Sequence, residues 1–350
     1  MLKTYEELEE YVKGLGLSYE PLCEDWLGHE IFVARKKGDS EGKVLIAAGA
    51  HGDEPAGVYA ALELMADAKS NLDLYFLPCR DPVGFNSLSY VLSRLLQAEI
   101  YVFSFGDLKG VCKDYGERIY AEWDVYVYRI GDVGLAYSTR CYHDPWAGEN
   151  YVTEKLSKAA KAGLLDELKG KRVLVPAMLP LSDGVGLFSR VYSLYVTSDG
   201  EVVSYNTVRR ENVPKEVAAV AELVDRLKPT LTLDLHEGFG EKFYVFVNSK
   251  PGAAERKLLM GAFNRLRESK LELLSVEEME KLMRGMGDRE FLEDGVVLSS
   301  GEKPTLSLYA SRHGASFTFE SGLMADLEKR IKMHKLAVIG ALEALGEVLE

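Results

Sequence analysis

Glutamine is almost missing from this chain: Gln97 is the only one in 350 residues, while lysine and glutamate are abundant. Proteins from hot environments show this bias. Long uninterrupted apolar runs are missing too, which excludes a membrane-spanning helix. With 47% apolar residues, the expectation is a soluble chain with a large core. The four cysteines, Cys23, Cys79, Cys112 and Cys141, include no Cys-x-x-Cys pair, so a compact thiolate zinc site and a dense disulfide framework are excluded. A reduced, cytoplasmic protein is expected. Basic charge is scarce against acidic, 42 residues to 55 for a net −13, and this excludes a nucleic-acid or anionic-membrane surface as the main partner. The first 15 residues lack a signal peptide's apolar segment. They read as an amphipathic helix with a Thr4/Glu7 capping box, and export is not expected. Internal repeats and low-complexity linkers are also missing.

The order of elements points to an α/β protein. Residues 29–35 read as a strand, and residues 42–50 as a buried one, because the apolar positions do not alternate. Residues 55–66 have helical spacing, with Val58, Leu62 and Met65 on one stripe and Pro55 suited to a first turn. Residues 71–78 then return as a strand. Strand, helix, strand in this order predicts a βαβ unit and a mostly parallel mixed sheet flanked by helices. Ligand sites in such sheets lie beyond the carboxyl ends of the strands. Further helices are predicted over 151–168, 215–227, 253–269, 276–284 and 325–348, a short strand over 172–176, and a hairpin over 191–208 turning at Ser198-Asp199-Gly200. The chain is read as one catalytic core over 1–350, with an insertion or rim region at about 87–210.

Three stretches carry chemistry. Ser316-Phe317-Thr318-Phe319-Glu320 is an apolar strand pattern that ends in a carboxylate and breaks at Gly322. A buried glutamate is costly to ionise unless something there needs it. His51-Gly52-Asp53-Glu54 follows the apolar run 44–50, and His236 ends Leu231-Thr232-Leu233-Asp234-Leu235. Two imidazoles and a carboxylate, each just past a strand, form a candidate site for one zinc ion per chain, with Glu320 left over as a base. Alternation along a strand puts Thr232, Asp234 and His236 on one face, so Asp234 is available to orient His236. Glu237 points to the other face and ranks below Glu54 as a ligand.

These motifs, in this order, resemble those of the zinc carboxypeptidase family and its succinylglutamate desuccinylase and aspartoacylase relatives. The resemblance spans roughly residues 44–85 and 215–321. It implies a mixed α/β sheet flanked by helices, a catalytic zinc on His51, Glu54 and His236, and Glu320 as general base. It also implies hydrolysis of an amide or peptide bond next to a carboxylate-bearing group, on a small peptide or acyl-amino-acid substrate. Two alternatives stay open: an N-acyl amino acid deacylase of the desuccinylase type, and a non-catalytic zinc-binding protein retaining the fold. The family's Asn-Pro-Asp-Gly-Phe segment is altered here to Asp81-Pro82-Val83-Gly84-Phe85. For the Asn-Arg pair that holds the substrate carboxylate there are only loose matches, Thr139-Arg140 and Asn206-Thr207-Val208-Arg209. Arg140 and Arg209 are therefore the candidates for the carboxylate, and Arg80 and Arg94 for the oxyanion.

Overall fold

The strand Lys43–Ala48 is apolar at consecutive positions because both of its faces are covered. The computed structural model describes residues 2–39, 42–142, 148–177, 190–284, 289–299 and 304–349. In it this strand leads through the helix Pro55–Asp67 to a parallel neighbour, Asp73–Leu77. On its other side runs Leu231–Gly238, also parallel, and beyond that Ala315–Gly322. These four parallel strands are the middle of a nine-stranded sheet. Its flanks are antiparallel where they meet this centre: Ser18–Glu24 and Glu30–Lys36 on one side, Tyr244–Val247 on the other, with Val296–Leu298 and Glu290–Glu293 completing that edge. The sheet is mixed, as the sequence predicts, and its antiparallel share comes partly from Tyr244–Val247, Glu290–Glu293 and Val296–Leu298, which at three or four residues are too short for periodicity to register.

The helices Pro55–Asp67, Ala253–Glu268 and Leu327–Leu349 cover one face of this sheet, packing on Leu233, Leu235, Phe317 and Phe319. Lys215–Leu227 and Leu306–Ala310 cover part of the other face, over Leu45, Ala47 and Leu77. Strand alternation places Thr232, Asp234 and His236 on this second face, because Thr232 and Asp234 pair in register with Leu45 and Ala47.

A second, six-stranded sheet is built from residues 117–204, in the order Val202–Ser204, Val191–Val196, Lys171–Pro176, Val133–Ser138, Val125–Ile130, Glu117–Glu122. The predicted 191–208 hairpin is present as its antiparallel pair Val191–Val196 and Val202–Ser204. The helix expected over 151–168 is shorter, Gly148–Lys161, because Gly163 takes a φ of +76° and a 3₁₀ turn follows at Asp166–Leu168. The two sheets are joined by a buried arginine. Arg172 donates to Asp81 at 2.7 Å, to the Ser193 hydroxyl at 2.8 Å and to Glu216 at 3.1 Å, with its guanidinium 4.1 Å from the Tyr205 ring centroid. Asp81 is thus the residue that this junction needs at the altered segment after Asp73–Leu77.

Among the described residues, no helix is long and apolar enough to cross a membrane, and Cys23, Cys79 and Cys112 are free thiols. The side chain of Cys141 lies outside the described residues.

Candidate active site

Four parallel strands end on one edge of the main sheet, and there the chemistry-bearing side chains meet. His51 and Glu54 sit on the loop between Lys43–Ala48 and the helix Pro55–Asp67. That loop is pressed close to its neighbours: a Cβ on Gly52 would lie 2.0 Å from the Gly84 carbonyl oxygen and 2.4 Å from that of Val191. Only glycine admits this contact, and it explains why the histidine is followed by one. His236 comes from the adjacent strand.

Both histidines turn the same nitrogen to the same carboxylate. His51 Nδ1 lies 2.7 Å from Glu54 Oε1, and His236 Nδ1 lies 2.7 Å from Glu54 Oε2. One ligand atom from each of the three residues falls within 4.8 Å of the other two. Two imidazole nitrogens and a carboxylate oxygen at this spacing fit a single zinc ion with a coordination position to spare. Burial opposes ionisation of Glu54, but the two imidazoles hold its carboxyl well below the usual range. Behind His236, Nε2 lies 3.1 Å from Asp234 Oδ2, the supporting carboxylate that strand alternation predicts. Burial disfavours the charged imidazole, yet Asp234 and Glu54 raise His236 well above the ordinary histidine value.

Arg80, at the end of the neighbouring strand, completes the group. Its Nη2 donates to Asp234 Oδ1 at 3.0 Å and Oδ2 at 3.1 Å, and to Asn206 Oδ1 at 3.3 Å. Its Nε and Nη1 are buried with no hydrogen-bond partner among the described residues. Burial also works against the Asp234 carboxylate, which Arg80 and His236 nevertheless keep below its usual value.

Glu320 stands beside His236 in the next strand, the two being in register, and Tyr244 is in register with Glu320 on its far side. Residues in register across a sheet share a face, so His236, Glu320 and Tyr244 form one row. Burial pushes the Glu320 carboxyl up to about 8, with His236 opposing and the Glu54 and Asp234 carboxylates adding to the rise. Glu237, one residue past His236, points to the opposite face. It accepts from the Ala56 amide at 2.6 Å and pairs with buried Arg330, fastening the helix that starts just after Glu54.

The structure therefore brings together His51, Glu54, His236, Glu320 and Arg80. The other three arginines named from the sequence are held elsewhere. Arg94 is exposed in the last turn of the helix Leu88–Leu96. Arg140 is exposed on a 3₁₀ turn, its guanidinium 4.9 Å from the Tyr151 ring centroid. Arg209 pairs with Glu201 at 2.9 Å and donates to the Asn212 carbonyl at 3.1 Å. Asn206, from the same stretch as Arg209, does reach the group through Arg80. Tyr192, whose ring centroid is 4.9 Å from that of His51, carried no signal in the sequence, because its strand belongs to the second sheet.

No protein-family model matches the chain, and no curated protein matches it. Among solved structures, the chain is similar to a metallo-carboxypeptidase from Burkholderia cenocepacia, at 9% identity and a TM-score of 0.47, over 98% of this chain and 69% of that one. It is similar to carboxypeptidase A from Helicoverpa armigera at 13% identity and a TM-score of 0.47, over 98% and 74%. It is likewise similar to bovine thrombin-activatable fibrinolysis inhibitor, in complex with tick carboxypeptidase inhibitor, at 12% identity and a TM-score of 0.47, over 99% and 98%.

Proposed function

We propose that this chain is a zinc-dependent hydrolase that cleaves an amide bond next to a carboxylate-bearing group, as a carboxypeptidase does. One observation carries the reading. A buried carboxylate, Glu320, stands in register beside His236, whose Nδ1 converges with that of His51 on Glu54. His51, Glu54 and His236 would hold the metal, which when bound supplies a Lewis acid for the carbonyl and lowers the pKa of water at its open position.

The remaining work falls to the chain's own residues. Glu320 takes the proton of the attacking water and delivers it to the leaving nitrogen. Its raised pKa, set by burial beside the Glu54 and Asp234 carboxylates, suits a group that must hold that proton between the two steps. Arg80, fixed through Nη2 to Asp234 and Asn206, has its Nε and Nη1 edge available for the oxygen on which charge develops. Asp234 keeps the His236 ring oriented. Residues 87–210 act as an insertion that adds Tyr192 and Asn206 to the rim, and the scarcity of cysteine fits a cytoplasmic setting.

Glu320→Gln tests the reading. The amide is nearly isosteric but accepts no proton, so zinc content measured by mass spectrometry should stay at about one per chain while turnover of acyl-amino-acid substrates falls ~100- to 10,000-fold. Near-normal turnover would overturn the mechanism, and lost zinc would make Glu320 a ligand.

A further inference from the structure

A proton shuttle needs more than a basic oxygen. Its carboxylate must be held so that the same oxygen meets first the water and then the leaving nitrogen. Glu320 makes no hydrogen bond or ion pair among the described residues, so a neighbour must hold it when it works. The row across the sheet supplies one. Tyr244 is in register with Glu320 on the next strand, shares its face and is buried. Its side chain reaches across the strand Ala315–Gly322 to the end of Leu231–Gly238, where the hydroxyl oxygen accepts from the Phe239 amide at 3.1 Å.

The meeting point is Gly238, which pairs with Gly322 two residues past His236 and Glu320. A Cβ on Gly238 would lie 1.9 Å from the Tyr244 hydroxyl oxygen and 2.8 Å from Glu320 Oε2. The place of a side chain is thus taken by two oxygens, one able to donate and the other to accept. The hydroxyl receives the Phe239 N–H, while its own hydrogen has no acceptor among the described residues. A buried donor left unmade costs stability, so it is retained where another group is to meet it. Burial, with the Glu320 charge adding to it, raises the Tyr244 pKa well above the ordinary phenol value, so the hydroxyl keeps its hydrogen. We propose that Tyr244 is the positioning residue of the base: its hydroxyl donates to Glu320 Oε2 while that carboxylate accepts the proton of water. The inference rests on the hydrolase reading. With Oε2 engaged as an acceptor, the proton from water bonds to the other carboxylate oxygen and passes from there to the leaving nitrogen. The tyrosine hydrogen stays on its own oxygen throughout.

Tyr244→Phe removes the one oxygen and keeps the ring. In zinc-loaded protein, kcat for benzoylglycyl-phenylalanine should fall ~10- to 100-fold, as for a misplaced reacting group, while KM stays within about two-fold and zinc content is unchanged. In the Glu320→Gln background there is no proton to place, so the same substitution should alter the residual rate by less than about two-fold. Losses that multiply in the double variant, or a kcat that Tyr244→Phe leaves intact, would overturn the inference. A second cycle needs no turnover: urea denaturation of Tyr244→Phe, Glu320→Leu and the double variant. Removing the hydroxyl should lower the midpoint less in the Glu320→Leu protein, where the acceptor is gone, than in the parent chain. Such a difference in a protein that hydrolyses no amide would sink the hydrolase reading and leave the contact standing. Equal midpoint shifts in a protein whose activity depends on Glu320 would sink this inference alone.

Discussion

Two buried arginines, Arg172 and Arg80, sit in surroundings that look alike and differ in one respect. Each is set among carboxylates, and each draws on a residue from beyond its own sheet. Arg172 spends both terminal nitrogens on Asp81, Ser193 and Glu216 and lies over Tyr205, leaving Nε alone without a hydrogen-bond partner among the described residues. Arg80 spends only Nη2, on Asp234 and Asn206, and keeps Nη1 and Nε without a hydrogen-bond partner among the described residues. A buried donor left unmade costs stability, so it is retained where another group is to meet it. The first arginine therefore belongs to the junction between the sheets and the second to the proposed reaction.

Substitution of each arginine by methionine puts this difference to the test. Arg172→Met should have the largest effect, because it strands two buried carboxylates. A loss of roughly 3–5 kcal/mol is expected in urea denaturation. Arg80→Met should cost less stability, since Asp234 keeps His236 as a partner, but should lower kcat ~100- to 1,000-fold, as removal of an oxyanion donor does. Equal stability losses together with equal rate losses in the two variants would abolish the distinction.

A third buried charge, far smaller in effect, sharpens the comparison by adding pH. His29 lies 2.9 Å from Asp25 Oδ2 and 3.3 Å from Glu6 Oε1. Burial alone lowers its pKa, but Asp25 and Glu6 raise it above the ordinary histidine value. The folded state then binds the proton more tightly than the unfolded one. The resulting stabilisation is fully present below the unfolded value of about 6.5 and is lost as pH rises through the raised folded value. His29→Gln should therefore cost about 1 kcal/mol on the acid side of that window, and less above it. A stability gap that widened with rising pH would contradict the assignment.

The proposed metal group was legible because its members follow strongly apolar strands, His236 within one and His51 and Glu54 on the loop just after another, where polar residues stand out. Gly52 and Pro55 mark the turn that holds His51 and Glu54, and alternation through Leu231-Thr232-Leu233-Asp234-Leu235 fixes which way Asp234 and His236 face. The arginines were less legible. Arg80 follows a predicted strand and was named, but its partner Asn206 is 126 positions away, and no local pattern shows such a contact. The six-stranded sheet was only partly readable: the strand over 172–176 and the hairpin around Ser198-Asp199-Gly200 were predicted, whereas Glu117–Glu122 buries no residue fully and Val133–Ser138 buries every one, so neither shows the alternation that marks a half-buried strand.

His236 and Glu237 are consecutive, yet one faces Glu54 while the other faces Arg330 and the Ala56 amide. The proposed metal group and the anchor of the core helix are thus encoded by the same parity of one strand. Deleting a single residue between Leu231 and Leu235 would exchange the two faces, putting a carboxylate where an imidazole is needed and a histidine against Arg330. For this strand, a frame-preserving deletion is a graver lesion than the loss of any one of its side chains, and a screen of single-codon deletions should find it the least tolerant segment of the sheet.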